Sequence, residues 1–303
     1  MNINKFLVGS LIVGIIITLF FVVMSTHAEE RIELIPFGDF ETWTEQQIKE
    51  SNIIGGATKT LYKIGGPWSS SNAHARAMRV DKVSVSVTPE KRGEGYCCRM
   101  ESRLETVKAI GINFKALATG SIYTGKMIEI VGLAQSSDPN SAIDMGVPFT
   151  ERPTALIIDY KAIIKNEHAI YAPARTRIKD VATQDKGHIT LLLQHRWEED
   201  GHIYAYRVGT AKHIIDQTTD WQTDFRLPVI YGKDGERLHH LYNNRHKTHN
   251  SQGKMVCIEE LDFRDDVAPT HIIIQVSAGS LQPFTGCPGN TVWCDNIRLS
   301  YAE

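Results

Sequence analysis

The sequence predicts an all-β, two-sheet antiparallel sandwich with long loop insertions, and three observations lead there. Apolar residues recur with a period of two along most of the chain, which puts alternate side chains on one face of a strand. The runs are short, rich in Val, Ile and Tyr, and bounded by Gly, Pro, Asn or Asp, the residues that turns require. Helical periodicity is nearly absent, the one candidate being a short polar segment at Thr44–Ser51.

In order, the strand-like runs are 80–88 (Val83, Val85 and Val87 sharing a face), 95–104, 109–118, 127–133, 155–165 and 189–197. They continue through 203–208, 225–231, 255–263, 271–276 and 291–301. Many short strands with few helices imply two packed sheets. The segment 232–253 reads as a polar, strandless excursion with four histidines, His239, His240, His246 and His249. No Cys, Asp or Glu at ligand spacing joins them, so a solvated loop is expected rather than a metal centre. No linker or repeat divides residues 29–303, which are expected to form a single domain.

Before that domain, Lys5 precedes an uncharged stretch from Phe6 to Met24, then Ser25-Thr26-His27-Ala28. This pattern describes a signal peptide over 1–28. At 19 residues the apolar stretch also just spans a bilayer, so an uncleaved membrane anchor is the alternative. No cysteine precedes Cys97, which argues against a lipoprotein. The expected location is exported: periplasmic, secreted or cell-surface, with membrane contact only through the N-terminal segment.

Composition narrows the partners. The formal net charge is −2, leaving no basic excess to neutralise phosphates, so no nucleic acid is expected. Of five cysteines, adjacent Cys97 and Cys98 point to opposite faces of a strand. Cys287 and Cys294 flank a Pro-Gly-Asn turn and could bridge it, although a buried, unpaired Cys294 is the leading expectation. No cysteine has zinc spacing.

Six segments carry a resemblance. They are Gly38-Asp39-Phe40-Glu41-Thr42-Trp43, the Gly66–Asn72 segment, the Ala118–Lys126 segment, the Gly146–Pro153 segment, the Asp220–Pro228 segment and the Gly289–Leu299 segment. In this order they resemble the putative carbohydrate metabolism domain family. The resemblance implies a jelly-roll sandwich similar to carbohydrate-binding modules, exported and concerned with glycan utilisation. Members often carry a lipoprotein cysteine or a further sandwich domain, and the histidine-rich excursion here is longer than usual.

Two sets of site residues follow. In many jelly-roll sugar-binding modules a Gly-x-Phe-Glu opening strand and an Asp-Asn closing strand hold a structural calcium, and Gly38, Glu41 and Asp295 match that pattern. Sugar recognition combines aromatic platforms with polar groups that fix hydroxyls. Trp68 and Asn72, in one loop, with Tyr123 and Arg152 in two others, are the expected substrate-binding set. Trp197, just before Glu198-Glu199-Asp200-Gly201, is a further tryptophan that a turn could expose, whereas Trp43 and Trp221 read as packing.

The expected function is an exported glycan-binding protein, its partner an oligo- or polysaccharide, with a role in carbohydrate uptake or metabolism. The alternatives are a glycoside hydrolase on the same fold and a structural or adhesive surface protein without a sugar site. Glu101, Glu105, Asp144, Asp159, Asp180 and Asp185 are the carboxylates available for hydrolysis, which needs two of them flanking the scissile bond. Clustered exposed aromatics would favour binding, two convergent carboxylates hydrolysis, and a flat charged face the structural role.

Overall fold

The computed structural model describes residues 30–77, 80–109, 112–128, 130–131, 138–241 and 245–302; the expected signal peptide at 1–28 lies outside them. Two sheets pack face to face. The first has the strand order Thr219–Pro228, Ala155–Ile163, Thr291–Ala302, Gly95–Glu101, Val87–Arg92. Glu30–Leu34 pairs with the distal half of Thr291–Ala302, so both ends of the domain meet in one sheet. The second runs Ile143–Met145, Ser121–Met127, His271–Ser277, Gly187–Glu199, His202–Ile215, Met255–Phe263, Lys247–His249.

The core between them follows from the predicted alternation. Leu156, Ile158, Tyr160 and Ala162 of one sheet face Ile189, Leu191 and Leu193 of the other, all buried in one cluster. Each such fully buried aliphatic side chain contributes about 1.5–3 kcal/mol. Cys98 and Cys294 stand opposite each other in register within this core. All five cysteines are free thiols, so Cys287 and Cys294 are not bridged.

Two expectations need correction. Thr44–Ser51 is not helical: Trp43–Lys49 is a strand paired with Thr58–Ile64. Eight residues are too few to separate the two periods, and the pairing of Trp43 edge-on with Tyr62 decides for the hairpin. The 232–253 excursion is not strandless either. It contains a 3₁₀ turn at Gly232–Arg237 and a strand at Lys247–His249 that pairs with Met255–Phe263. Because the chain crosses to the other sheet and returns over this excursion, His202–Ile215 and Met255–Phe263 run parallel, an exception in an otherwise antiparallel sheet.

Short accessory sheets built from Ala73–Ala77, Val80–Ser84, Arg103–Ala109 and Ile112–Ala118 cover part of the outer face of the second sheet. Among the described residues no helix is long and apolar enough to cross a membrane.

Candidate functional site

The longest hairpin of the second sheet, Gly187–Glu199 with His202–Ile215, turns at Asp200-Gly201. Both turn residues are left-handed, with φ of 51° and 78°, the geometry of a two-residue type I′ turn whose twist matches the flanking strands. This fixes the register: Trp197 opposes Tyr204, His195 opposes Tyr206 and Glu199 opposes His202. His195 and Trp197 continue the inward face of Ile189, Leu191 and Leu193. Tyr204 and Tyr206 likewise continue the face of Val208. The buried cluster includes Leu193 and Val208 but none of the four ring residues.

These rings tile one another. Trp197 lies 4.7 Å from Tyr206 and 5.8 Å from Tyr204, centroid to centroid. His195 flanks Trp197 at 6.3 Å, and His202 stacks on Tyr204 at the same distance. His195 is fixed by Nδ1, which donates to the Ala268 carbonyl at 2.7 Å. Arg264 lies over Tyr206 at 5.2 Å and is itself held by a two-pronged contact with Asp266. The neighbouring parallel strand places exposed Glu259 beside Tyr204 and exposed Asp262 beside Tyr206. The result is a half-exposed aromatic strip rimmed by carboxylates and a guanidinium. Aromatic faces beside polar groups suit a pyranose ring, which offers C–H faces and a hydroxyl rim.

A groove of about 380 Å³ lies on the opposite, outer face of the second sheet, within the range of small-ligand sites. Its floor includes Tyr123, His188, Gln275 and Ser277, and Phe114 stands on its wall. Among the described residues that line it, Glu105 is the one carboxylate, and Lys82 holds it at 3.2 Å. The other carboxylates singled out in the sequence do not join it. Glu101 pairs with Arg99 and Asp180 with His168. Asp144 accepts from Thr248 and His249, and Asp185 accepts from the backbone of Lys186 and Ser280.

The predicted substrate-binding residues do not converge. Trp68 is 3% exposed; its ring packs 5.8 Å from Phe40 and its Nε1 donates to the Pro36 carbonyl. Its segment is a strand against Ile122–Thr124, which turns the indole inward. Asn72 is buried and stitches backbone together: its Nδ2 donates to Tyr62 and Val87 carbonyls, while its Oδ1 accepts from Ser86 and Val87 amides. Both border a second cavity of about 500 Å³, but Asn72 presents its polar atoms to the chain itself. Tyr123 reaches the first groove, with its hydroxyl donating to the Ser70 carbonyl and burial pushing the phenol's pKa up. Arg152 lies elsewhere, over the Tyr231 ring at 4.4 Å and donating to the Val267 carbonyl.

The three residues expected to hold calcium are each engaged otherwise. The Gly38 carbonyl accepts from the Ile297 amide and the Glu41 carboxylate from the Tyr96 amide. Asp295 opposes Asp159 in register, and one nitrogen of Arg92 donates to both, at 2.7 and 2.8 Å. Arg92 also stacks 4.0 Å from Trp221, so Trp221 braces a cation. A guanidinium therefore stands between the two carboxylates. Burial pushes the Asp295 carboxyl up in pKa. Burial acts on Asp159 too, but hydrogen bonds from Asn296, the Asp224 amide and Arg92 outweigh it and hold that carboxyl below its ordinary range. Among the described residues no group of three His, Cys, Asp or Glu side chains is placed to hold a metal.

Over residues 39–300 the chain matches the family described as "Putative carbohydrate metabolism domain". It belongs to that family. Among solved structures it is similar to a putative glycoside hydrolase from Bacteroides thetaiotaomicron, at 18% identity and a TM-score of 0.50, covering 86% of this chain and 72% of that one. A putative glycoside hydrolase from Bacteroides vulgatus is similar at 18% identity and a TM-score of 0.48, covering 86% of this chain and 96% of that one. No curated protein matches the chain. At this identity the Bacteroides thetaiotaomicron likeness shows a shared fold, and the family places this carbohydrate metabolism domain among proteins concerned with sugars.

The sequence marks Trp197 as a tryptophan that a turn could expose, but not its partners. The signal was present: a two-residue Asp-Gly turn dictates which residues face each other, and counting outward from it pairs Trp197 with Tyr204 and His195 with Tyr206.

Proposed function

We propose that this carbohydrate metabolism domain is an exported glycan-binding protein that holds an oligo- or polysaccharide chain along the Trp197–Tyr204–Tyr206 strip and takes part in carbohydrate uptake or metabolism. The observation that carries the reading is the strip itself: ring side chains stacked on a sheet face outside the buried core, with Glu259, Asp262 and Arg264 beside them to meet hydroxyls. The groove supports binding over hydrolysis, because Glu105, the one carboxylate among the described residues that line it, is paired with Lys82. The Asp159 and Asp295 pair has an arginine where a scissile bond would have to lie. The N-terminal apolar segment supports export.

A glycan array probed with the full chain, with reducing-sugar release followed on each retained glycan, tests this. Retention without release is expected. Release would replace the reading with a hydrolase, and silence across a broad array would replace it with a structural or adhesive role.

A further inference from the structure

Charge is placed unevenly along the aromatic strip. On its long edge the strand Met255–Phe263 runs parallel to His202–Ile215 and sets Glu259 against Tyr204 and Asp262 against Tyr206. At its turn end Glu199 opposes His202. All three carboxylates are exposed, and each shares the strip's face because it stands level with a ring residue of that face. Asp262 accepts from the Phe263 amide. Among the described residues no lysine or arginine pairs with any of the three; the ion pair beside the strip is Arg264 with Asp266. Glu198 faces the other way, and there the Ser251 amide and hydroxyl hold its carboxylate, at 2.8 and 2.7 Å.

The Tyr206 end shows what such a surface takes. The Arg264 guanidinium lies over the Tyr206 ring at 5.2 Å, held by both oxygens of Asp266, with Asp262 level with the same ring. An aromatic face is negative and attracts a cation, and a carboxylate at the ring's edge adds a charge-assisted contact. The Trp197–Tyr204 end repeats this arrangement, two half-buried rings 5.8 Å apart with Glu259 beside Tyr204. Here, among the described residues, no lysine or arginine lies over either ring. An exposed ion pair in water contributes little, but a cation laid against a half-buried ring is shielded from water on one side, which strengthens the attraction.

We infer that the Trp197–Tyr204 end of the strip takes the protonated amino group of an amino sugar, with the sugar's C–H face on Trp197 and its ammonium toward Glu259. The inference rests on the strip being the glycan site and names the class of sugar that the site prefers. The same carboxylates disfavour uronates and sulfated sugars, whose charge matches their own.

The test is calorimetric titration of the full chain with protonated glucosamine oligomers, with N-acetylglucosamine oligomers of the same length and linkage, and with polygalacturonate. The first two share a backbone and differ in the charge on each ring. The glucosamine oligomer should bind roughly tenfold more tightly than its acetylated counterpart, and polygalacturonate should bind least. Raising salt from about 0.15 M to about 1 M should close most of the gap. Glu259→Gln keeps the shape and removes the charge, and should shrink the ratio between the two oligomers severalfold. Glu198→Gln, on the other face, should leave that ratio unchanged, and Trp197→Ala should weaken both oligomers. Equal affinity for the two oligomers, tighter binding of polygalacturonate, or a ratio that survives Glu259→Gln overturns the amino-sugar preference. The strip reading still stands in that case if Trp197→Ala releases whichever glycan is retained. Glucosamine-oligomer affinity that survives Trp197→Ala places the charge effect away from the strip and also overturns the preference. Binding of no glycan at all, here or on an array, overturns both readings.

Discussion

Arg92 clamps two adjacent strands of the first sheet. Its guanidinium reaches Asp159 and Asp295 on adjacent strands, and Asn296 and the Asp224 amide also donate to Asp159. Like charges directly opposite across a ladder repel, so removing the cation leaves nearly buried Asp295 without its cationic partner and Asp159 with only Arg298, at 3.7 Å. Arg92→Met should destabilise the fold by about 3 kcal/mol, read from denaturant unfolding, and a chelator should leave Tm where it was. A chelator-induced fall in Tm would put a metal back at this position.

Partly buried histidines set a pH dependence. His188 and His271 have their pKa lowered to about 4 from 6.5, chiefly by burial. The unfolded chain therefore binds protons that the folded chain refuses between these values. Stability contributed by the neutral rings is complete above pH 6.5 and is lost as pH falls towards 4. Unfolding free energy measured across this window should decline, and a flat profile would contradict the burial of these rings.

The thiols make a further residue-scale prediction. Cys97, Cys98, Cys287 and Cys294 are buried and Cys257 is not. Burial pushes the Cys97 thiol up to about 12, so it presents little thiolate. Alkylation of the native protein should label Cys257 first and the others only on unfolding; early labelling of Cys98 or Cys294 would place that strand outside the core.

At the scale of elements, the Asp200-Gly201 turn fixes the strip. A non-glycine residue held at the Gly201 φ of 78° is strained by about 1–3 kcal/mol. Gly201→Val should lower stability by that order and weaken glycan retention through the turn alone, checked by comparing unfolding curves with binding. Near the turn this hairpin is legible in the sequence, since an Asp-Gly turn fixes which residues oppose each other. Between Gln194 and Leu193 a bulge shifts the register, and the second strand runs on to Ile215 rather than ending at Val208. Thr44–Ser51 is not legible, because a short polar segment satisfies either period and only the Tyr62 contact chooses. Trp68 was misread for a related reason. Its Gly-Pro-Trp-Ser-Ser-Ser-Asn surroundings look like a loop, yet pairing with Ile122–Thr124 makes Trp68–Ser70 a strand and turns the indole into the core.

At the scale of the molecule, alternation was enough to specify two sheets and their shared core, but not the order of the strands. The parallel pairing of His202–Ile215 with Met255–Phe263 depends on a long crossover, and no local pattern encodes it. The same limit applies to both candidate surfaces. The rows His188–Ser277–Ser121 and Trp197–Tyr204–Glu259 draw on strands far apart in sequence, so their side chains become neighbours only once the sheet is ordered. The six family segments, by contrast, mark residues that build the scaffold: Phe40, Trp68 and Ile297 lie in the core, Asp295 accepts from Arg92, and the Asp224 amide donates to Asp159 beside it. That is why they announced the fold and the carbohydrate theme more clearly than a site.

The most direct test of glycan binding through the strip is the affinity of Trp197→Ala for whichever glycan the wild-type chain retains, with Tm measured alongside. Trp197→Ala should lose roughly tenfold or more in affinity with Tm nearly unchanged, whereas Trp68→Ala should lose about 3–5 kcal/mol of stability as a core truncation. Trp197→Ala binding as tightly as the wild type would contradict glycan binding through the strip.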